Sequence, residues 1–281
     1  MKIEKAKDKA RWARILLHGA SGSGKTYATG TLWRDGYKVL HLVVNPAQLD
    51  TLDAMGIDYD YVKVTKWAEL FDIYLELMKM HQEVGSPAAT SSRYDVVGID
   101  PISDLQFMGK DAVLKIEKEA DRRAALSGEK VMRIDDWGAI SDMVRRLIHL
   151  FTAPSFPYHL VVTCESKPDD YLLDGSTRDV PALEGRMAQL IPAAFSYVGY
   201  THIESSGGKI YYCLTSSSQA RVITKDRTAL GGRTLVNPKL KDIILAITEG
   251  RAAEETEIEK QLSRSLLVIR PVAPARVEKK K

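Results

Sequence analysis

Eight consecutive residues, Gly19, Ala20, Ser21, Gly22, Ser23, Gly24, Lys25 and Thr26, match the spacing G-x-x-x-x-G-K-[ST]. Each residue type in that pattern has a task at a phosphate. The glycines permit positive φ, so backbone N–H groups can wrap an anion, and a helix starting at the lysine turns its positive end toward the same charge. Lys25 has the length and charge to reach the β- and γ-phosphates of a nucleoside triphosphate, and the Thr26 hydroxyl is a hard oxygen ligand for Mg²⁺. The bland alternative is a flexible glycine turn. A phosphate-bound Mg²⁺ also needs a carboxylate at the end of a neighbouring strand, and Asp100 meets that need. It closes the apolar run Val96-Val97-Gly98-Ile99, and Pro101 stops the strand behind it. The plainer use of such an Asp is to cap the next helix.

These groups can meet only at the carboxyl edge of a parallel sheet, so the chain has to supply one. Arg14–His18 is a short buried strand that ends at the glycines, and a helix follows from Gly24 to about Arg34, with Gly36 placed to end it. Lys38–Val44 and Tyr94–Asp100 are continuous apolar runs of the kind covered on both faces, as is His159–Cys164; Ile57–Val64 alternates and forms a shorter strand. Helical spacing of apolar residues predicts helices over Trp67–Glu83, Asp136–Phe151 and Pro238–Thr248. Gly85–Ser92 is a surface loop. The segment from Glu165 to about Pro181 reads as a longer loop, followed by three β-type runs, Phe195–His202, Lys209–Leu214 and Arg221–Thr224. The expected fold is α/β, a P-loop NTPase core with a mostly parallel central sheet and antiparallel carboxyl-terminal strands.

Composition agrees with one such domain. The 281 residues are 44% hydrophobic and 27% charged, enough to bury a full core. No apolar run approaches a membrane span and the amino end lacks a signal-peptide core, so the expectation is a cytoplasmic protein with no membrane partner. The two cysteines, Cys164 and Cys213, belong to no C-x-x-C pair, which excludes a structural zinc or a disulfide framework. No serine sits in a G-x-S-x-G elbow and the histidines are scattered, so no catalytic triad is suggested; His18 is a strand-end residue. Net charge is +3, but residues 1–14 carry +4, residues 250–281 carry +3 and the body is mildly acidic. Basic ends suit a polyanion partner and equally suit plain solvated termini. The division expected is a basic tail over 1–11, the nucleotide-binding domain over 12–249 and a charged tail over 250–281.

With the P-loop, the strands Asp95–Asp100 and His159–Cys164, the segment Pro181-Ala-Leu-Glu-Gly-Arg running on to Phe195, and Lys225-Asp226-Arg227, the chain resembles RecA-like ATPases. The likeness spans about residues 12–248. Within that family it is most similar to phage-encoded nucleotide-binding proteins linked to single-strand annealing and recombination. The resemblance implies ATP and Mg²⁺ as cofactors, single-stranded DNA as partner, and a homo-oligomer, ring or filament, with nucleotide at the subunit boundary. It also implies a single-strand-binding protein as a partner of the carboxyl-terminal tail, and the host cytoplasm as the site of action. Two loops after the central strands hold DNA in the family. Here the first is about Met108–Arg133, with Arg122 and Arg123, a segment whose balance of charges fits an ordinary solvated helix as well. The second is Lys167–Pro181, with Lys167, Tyr171 and Arg178 as contacts, set against Asp169, Asp170, Asp174 and Asp179. Lys225 and Arg227 match a basic pair that reaches the neighbouring subunit's γ-phosphate.

One departure stands out. The family places a catalytic glutamate just after the second strand, where this chain has Val44-Asn45-Pro46-Ala47-Gln48, with no carboxylate before Asp50. Glu165 falls where the family has a polar γ-phosphate sensor, and is placed to orient water instead. The catalytic candidates are therefore Lys25, Glu165, Lys225 and Arg227, with slow hydrolysis expected if Glu165 does not substitute. Two other classes stay open: a nucleotide-switched adaptor without useful catalysis, and a P-loop small-molecule kinase whose lid would draw on Arg122-Arg123 and Arg145-Arg146.

Overall fold

The structure, a computed structural model, describes residues 11–83, 93–169, 177–217, 221–252 and 254–267. In chain order it forms β1 (Arg14–Gly19), α1 (Lys25–Arg34), β2 (Val39–Val43), α2 (Asp50–Ala54), β3 (Asp60–Lys63), α3 (Glu69–Glu83), β4 (Val96–Ile99), α4 (Ile102–Val113), α5 (Glu119–Leu126) and α6 (Ile134–Thr152). It continues with β5 (His159–Asp169), β6 (Arg178–Pro181), α7 (Met187–Leu190), β7 (Tyr197–Ser206), β8 (Lys209–Thr215), β9 (Lys225–Asp226), β10 (Thr234–Val236), α8 (Leu240–Thr248) and α9 (Glu257–Leu267). The sheet order is β10-β8-β7-β1-β5-β4-β2-β3, with β6 added to β5 and β9 to β7. From β7 to β3 all neighbours are parallel, whereas β8, β9 and β10 pair antiparallel. This is the α/β architecture expected.

Strand alternation divides the core into two layers. Ile15 and Leu17 of β1 pack with Ala28 and Leu32 of α1 and Ile243 and Ile244 of α8. Leu16 between them faces the opposite cluster, with Leu70 of α3, Leu105 of α4, and Ile140, Val144 and Ile148 of α6. Because both faces are covered, β1 reads in sequence as an unbroken apolar run. Arg14, which begins it, is itself buried. Its guanidinium donates to the carbonyls of Thr152, Ala153, Phe156 and Tyr158, satisfying groups left open beyond the end of α6. Burial lowers its pKa to about 10.

Several segments bear on the expectations. Of the two readings of Met108–Arg133, loop and solvated helix, the structure has the helical one: the second half of α4, then α5 and its turns. No residue of α5 is buried, and the helix is held at its start by Asp121, whose carboxylate accepts from the Lys118 N–H at 3.0 Å and from Lys130 Nζ at 2.7 Å. Lys167–Pro181 is not a plain loop either, since β5 runs on to Asp169 and β6 returns antiparallel to it. Arg221–Thr224 forms only a bridge from Val222 to Asp179, and the strand proper is β9, beginning at Lys225. The segment beyond 249, expected as a charged tail, holds one helix among its described residues, α9. α9 packs on β10, with Leu262 buried and Glu259 Oε1 accepting from the Val236 N–H at 3.0 Å. Among the described residues no helix is long and apolar enough to cross a membrane.

Three imidazoles are enclosed by this packing. Burial pushes His18, His41 and His159 each down to about 4. Their pKa in the unfolded chain is near 6.5, so below that pH the unfolded state binds more protons than the folded one. Stability from these groups is complete above about 6.5 and is lost as the pH falls toward 4. The melting temperature should therefore drop steadily between pH 7.5 and 5. His41→Leu, which removes two ring nitrogens with no hydrogen-bond partner among the described residues, should flatten part of that slope. A melting temperature independent of pH over this range would contradict the burial of the three rings.

Candidate functional site

The P-loop joins the carboxyl end of β1 to α1. Gly22 and Gly24 take φ of +74° and +94°, and Gly24 caps α1 in the left-handed conformation. A side chain at Gly24 would also strike the Tyr212 ring, whose nearest atom lies 2.9 Å from an added Cβ. The loop is pinned from behind: the Ser23 and Thr201 hydroxyls are 2.6 Å apart, and Thr201 donates to the His18 carbonyl at 3.2 Å. The first N–H groups of α1 thus open onto a fixed loop, as an anion site requires.

Lys25 is only 7% exposed, yet its ammonium is fully satisfied. It donates to the carbonyls of Gly19 and Ala20, both at 2.9 Å, and lies 3.0 Å from Glu165 Oε1. Glu165 comes from β5, the strand inserted between β1 and β4, where register sets it beside Gly19. Thr26 donates to Asp100 Oδ2 at 2.9 Å, while Thr163 of β5 donates to the other oxygen of Asp100. Asp100 is 5% exposed, and burial pushes its carboxyl above the usual range, against the hydrogen bonds from Thr163 and Thr26. A hydroxyl and a buried carboxylate side by side form the hard-oxygen set that Mg²⁺ takes, with the remaining ligands drawn from phosphate and water. Lys25, Thr26, Asp100 and Glu165 line one cavity of about 430 Å³ with Ser21, Gly22, Gly24, Tyr27, Gln48, Thr51, Pro101 and Tyr212. Its size and donors suit a nucleoside triphosphate with its metal.

The structure brings Gly19 to Thr26, Asp100 and Glu165 together and leaves the other candidates elsewhere. Lys225 Nζ donates to the carbonyls of Pro192, Ala193 and Phe195, so its ammonium is already bound within its own chain. Of the expected basic pair, Arg227 alone stands exposed. Arg122 and Arg123 are exposed on α5, the latter 3.4 Å from Glu119, and neither lines the cavity. Lys167 lies on β5 with Nζ 3.8 Å from Glu184, and Arg178 on β6 donates to the Val222 carbonyl at 3.4 Å. Tyr171 falls outside the described residues.

Several contributors escape sequence reasoning. Thr163 and Thr201 look like ordinary strand threonines until pairing sets them against Asp100 and the P-loop. Tyr27 and Tyr212 stack with ring centroids 5.9 Å apart and 17° between planes, forming an aromatic wall of the cavity. Gln48 lies in the segment noted only for its missing glutamate. His18, fully buried, holds Ser166 Oγ at 2.8 Å and the Ile223 carbonyl at 2.6 Å, so it is a structural tie behind the site.

Asp100→Asn keeps the size of the side chain and a partner for Thr163 but removes the charge. Affinity for ATP with Mg²⁺ should fall about tenfold, and affinity for ATP in excess chelator should stay unchanged. Titration calorimetry under both conditions separates the outcomes; an equal loss in both would assign Asp100 to packing.

A search of curated proteins finds no match. A family model described as an AAA domain does match, over residues 11–228. That span contains every residue lining the cavity, and it includes β5 and β4, which bring Glu165 and Asp100 to the P-loop. The chain belongs to the AAA domain family, a P-loop nucleotide-binding domain of the ATPase type.

Proposed function

We propose that this chain hydrolyses ATP in a Mg²⁺-dependent manner and acts on single-stranded DNA in recombination or annealing, as RecA-like proteins of the kind phages encode do. It assembles with copies of itself as a ring or filament in the cytoplasm, and meets a single-strand-binding protein through its charged carboxyl-terminal tail.

The observation that carries this reading is the position of Glu165. It pairs with Lys25 at 3.0 Å, and it directly precedes the β5–β6 hairpin that bears Lys167 and Arg178. A triphosphate offers Lys25 a stronger anionic partner than a carboxylate, so nucleotide binding competes for the ammonium and releases Glu165. The freed carboxylate and the hairpin attached to it then respond together, which ties nucleotide state to a candidate DNA element. Arg227, exposed next to β9, remains available to a neighbouring subunit's nucleotide. Bound Mg²⁺ would offset charge on the β- and γ-phosphates, with Thr26 and Asp100 as its protein side. The basic amino and carboxyl ends supply long-range attraction to a polyanion.

Steady-state ATP turnover with and without single-stranded DNA tests this. The rate should rise at least about fivefold with DNA, fall with added salt, and vanish in Lys25→Ala. ATP binding without hydrolysis, unchanged by DNA, would overturn the reading in favour of a switched adaptor. Phosphoryl transfer to a nucleoside or nucleotide would select a kinase.

A further inference from the structure

The P-loop divides its cavity into two sides. Sheet order runs β8-β7-β1-β5-β4-β2, so β1 and its loop lie between the strands that bring acids and the hairpin β7–β8. On the β5 side stand Glu165, Asp100 and, past the end of β2, Gln48, whose amide donates to Asp104 of α4. Thr26 is bound to Asp100 on that side as well. A metal held by Thr26 and Asp100 would draw the β- and γ-phosphates in this direction. The nucleoside then has to leave the P-loop the other way, toward Tyr27 and Tyr212.

What it meets there is aromatic. Tyr212 of β8 pairs with Ile203 of β7, two residues beyond Thr201, and Thr201 lies opposite Gly19 at the end of β1. The hairpin thus overhangs the P-loop, and the Tyr212 ring rests on Gly24, where a Cβ would not fit. Tyr27, in the first turn of α1, stacks against Tyr212 and braces it. Tyr212 is nonetheless 39% exposed and lines the cavity, so part of its ring is open to a ligand. Ile203 opposite it and Ile210 two residues along share its face of the hairpin, and both are exposed. None of these side chains is an amide or a carboxylate, the groups that read the donor and acceptor pattern of a base edge. A phenol hydroxyl both donates and accepts, so it favours neither purine.

We infer, resting on the nucleotide-binding reading of the P-loop, that Tyr212, braced by Tyr27, takes the base of the nucleotide by stacking and leaves its edge unread. The site then accepts purine nucleoside triphosphates as a class, ATP and GTP alike. Stacking depends on the area of the π-face and is tolerant of what the base carries at its rim, so the two purines bind almost equally and the smaller pyrimidines bind less well. Selectivity in this pocket lies in the triphosphate and its metal, and the base adds affinity without adding discrimination.

The test is the affinity of the full chain, with Mg²⁺, for ATP, GTP, UTP and inorganic tripolyphosphate, measured by titration calorimetry alongside the melting temperature. ATP and GTP should bind within about threefold of each other, and UTP at least about fivefold more weakly. Tyr212→Ala should weaken ATP and GTP about tenfold while leaving tripolyphosphate within about twofold and the melting temperature intact, and Tyr212→Phe, which keeps the ring, should stay near native. GTP binding more than about tenfold weaker than ATP would overturn the inference, because it would mean that the base edge is read. Native ATP affinity in Tyr212→Ala would overturn it too, as would equal losses for ATP and tripolyphosphate, which would make the ring a packing element of the P-loop. A loss in Tyr212→Phe as large as in Tyr212→Ala would assign the contact to the hydroxyl and overturn stacking. A native chain that binds none of the four ligands would overturn the nucleotide-binding reading itself, an outcome distinct from a Tyr212→Ala variant that binds ATP normally.

Discussion

A lysine ammonium that is nearly excluded from water must have anionic or carbonyl acceptors within reach, or the fold around it is not stable. Lys25 is such a group, and three acceptors meet it: two P-loop carbonyls and the carboxylate of Glu165. Two of its three acceptor residues are neighbours only because β1 and β5 pair in parallel with Gly19 opposite Glu165. Slipping that register by one residue would send the side chains of β5 to the wrong faces, putting Cys164 at the ammonium and a carboxylate into the apolar layer under α4 and α6. The packing of Ile15, Leu16 and Leu17 into separate layers therefore fixes the charge arrangement of the site as well as the sheet.

β5 serves the site twice from one face. Residues two apart along a strand point the same way, and Thr163 and Glu165 both project toward the P-loop side, one onto Asp100 and the other onto Lys25. The strand thus links Asp100 to Lys25 through Thr163 and Glu165. Beyond Glu165 the same strand continues into the hairpin with β6, and Ser166 is held by His18 just behind the P-loop. Any change at the phosphates has a short covalent and hydrogen-bonded route to the hairpin.

What the sequence disclosed and what it hid follow from range. The P-loop and Asp100 are local patterns: glycines, a lysine and an acid at the end of an apolar run. The insertion of β5 between β1 and β4 is a tertiary outcome with no local mark, so Thr163 could not be singled out. Gln48 depends on Asp104, 56 residues away, and Lys225 depends on carbonyls 30 to 33 residues before it. Charge alone left Met108–Arg133 open between a binding loop and a solvated helix, and the structure has Arg122 and Arg123 exposed on α5; the charged tail hides a capping box, Thr256 and Glu259, that starts α9 and seats it on β10. Lys110, within that span, lies on α4 with its ammonium 4.9 Å from the Trp137 ring centroid and 3.2 Å from Glu184.

The central claim is that phosphate and hairpin compete for one ammonium through Glu165. Amide hydrogen exchange across residues 160–182, measured with and without a slowly hydrolysed ATP analogue and Mg²⁺, examines it directly. The Ala182 N–H, which donates to the Glu165 carbonyl, and the β5–β6 pairing should change their exchange on nucleotide binding, and this change should disappear in Glu165→Gln. Protection limited to the P-loop and α1, with the hairpin unaltered, would contradict the account.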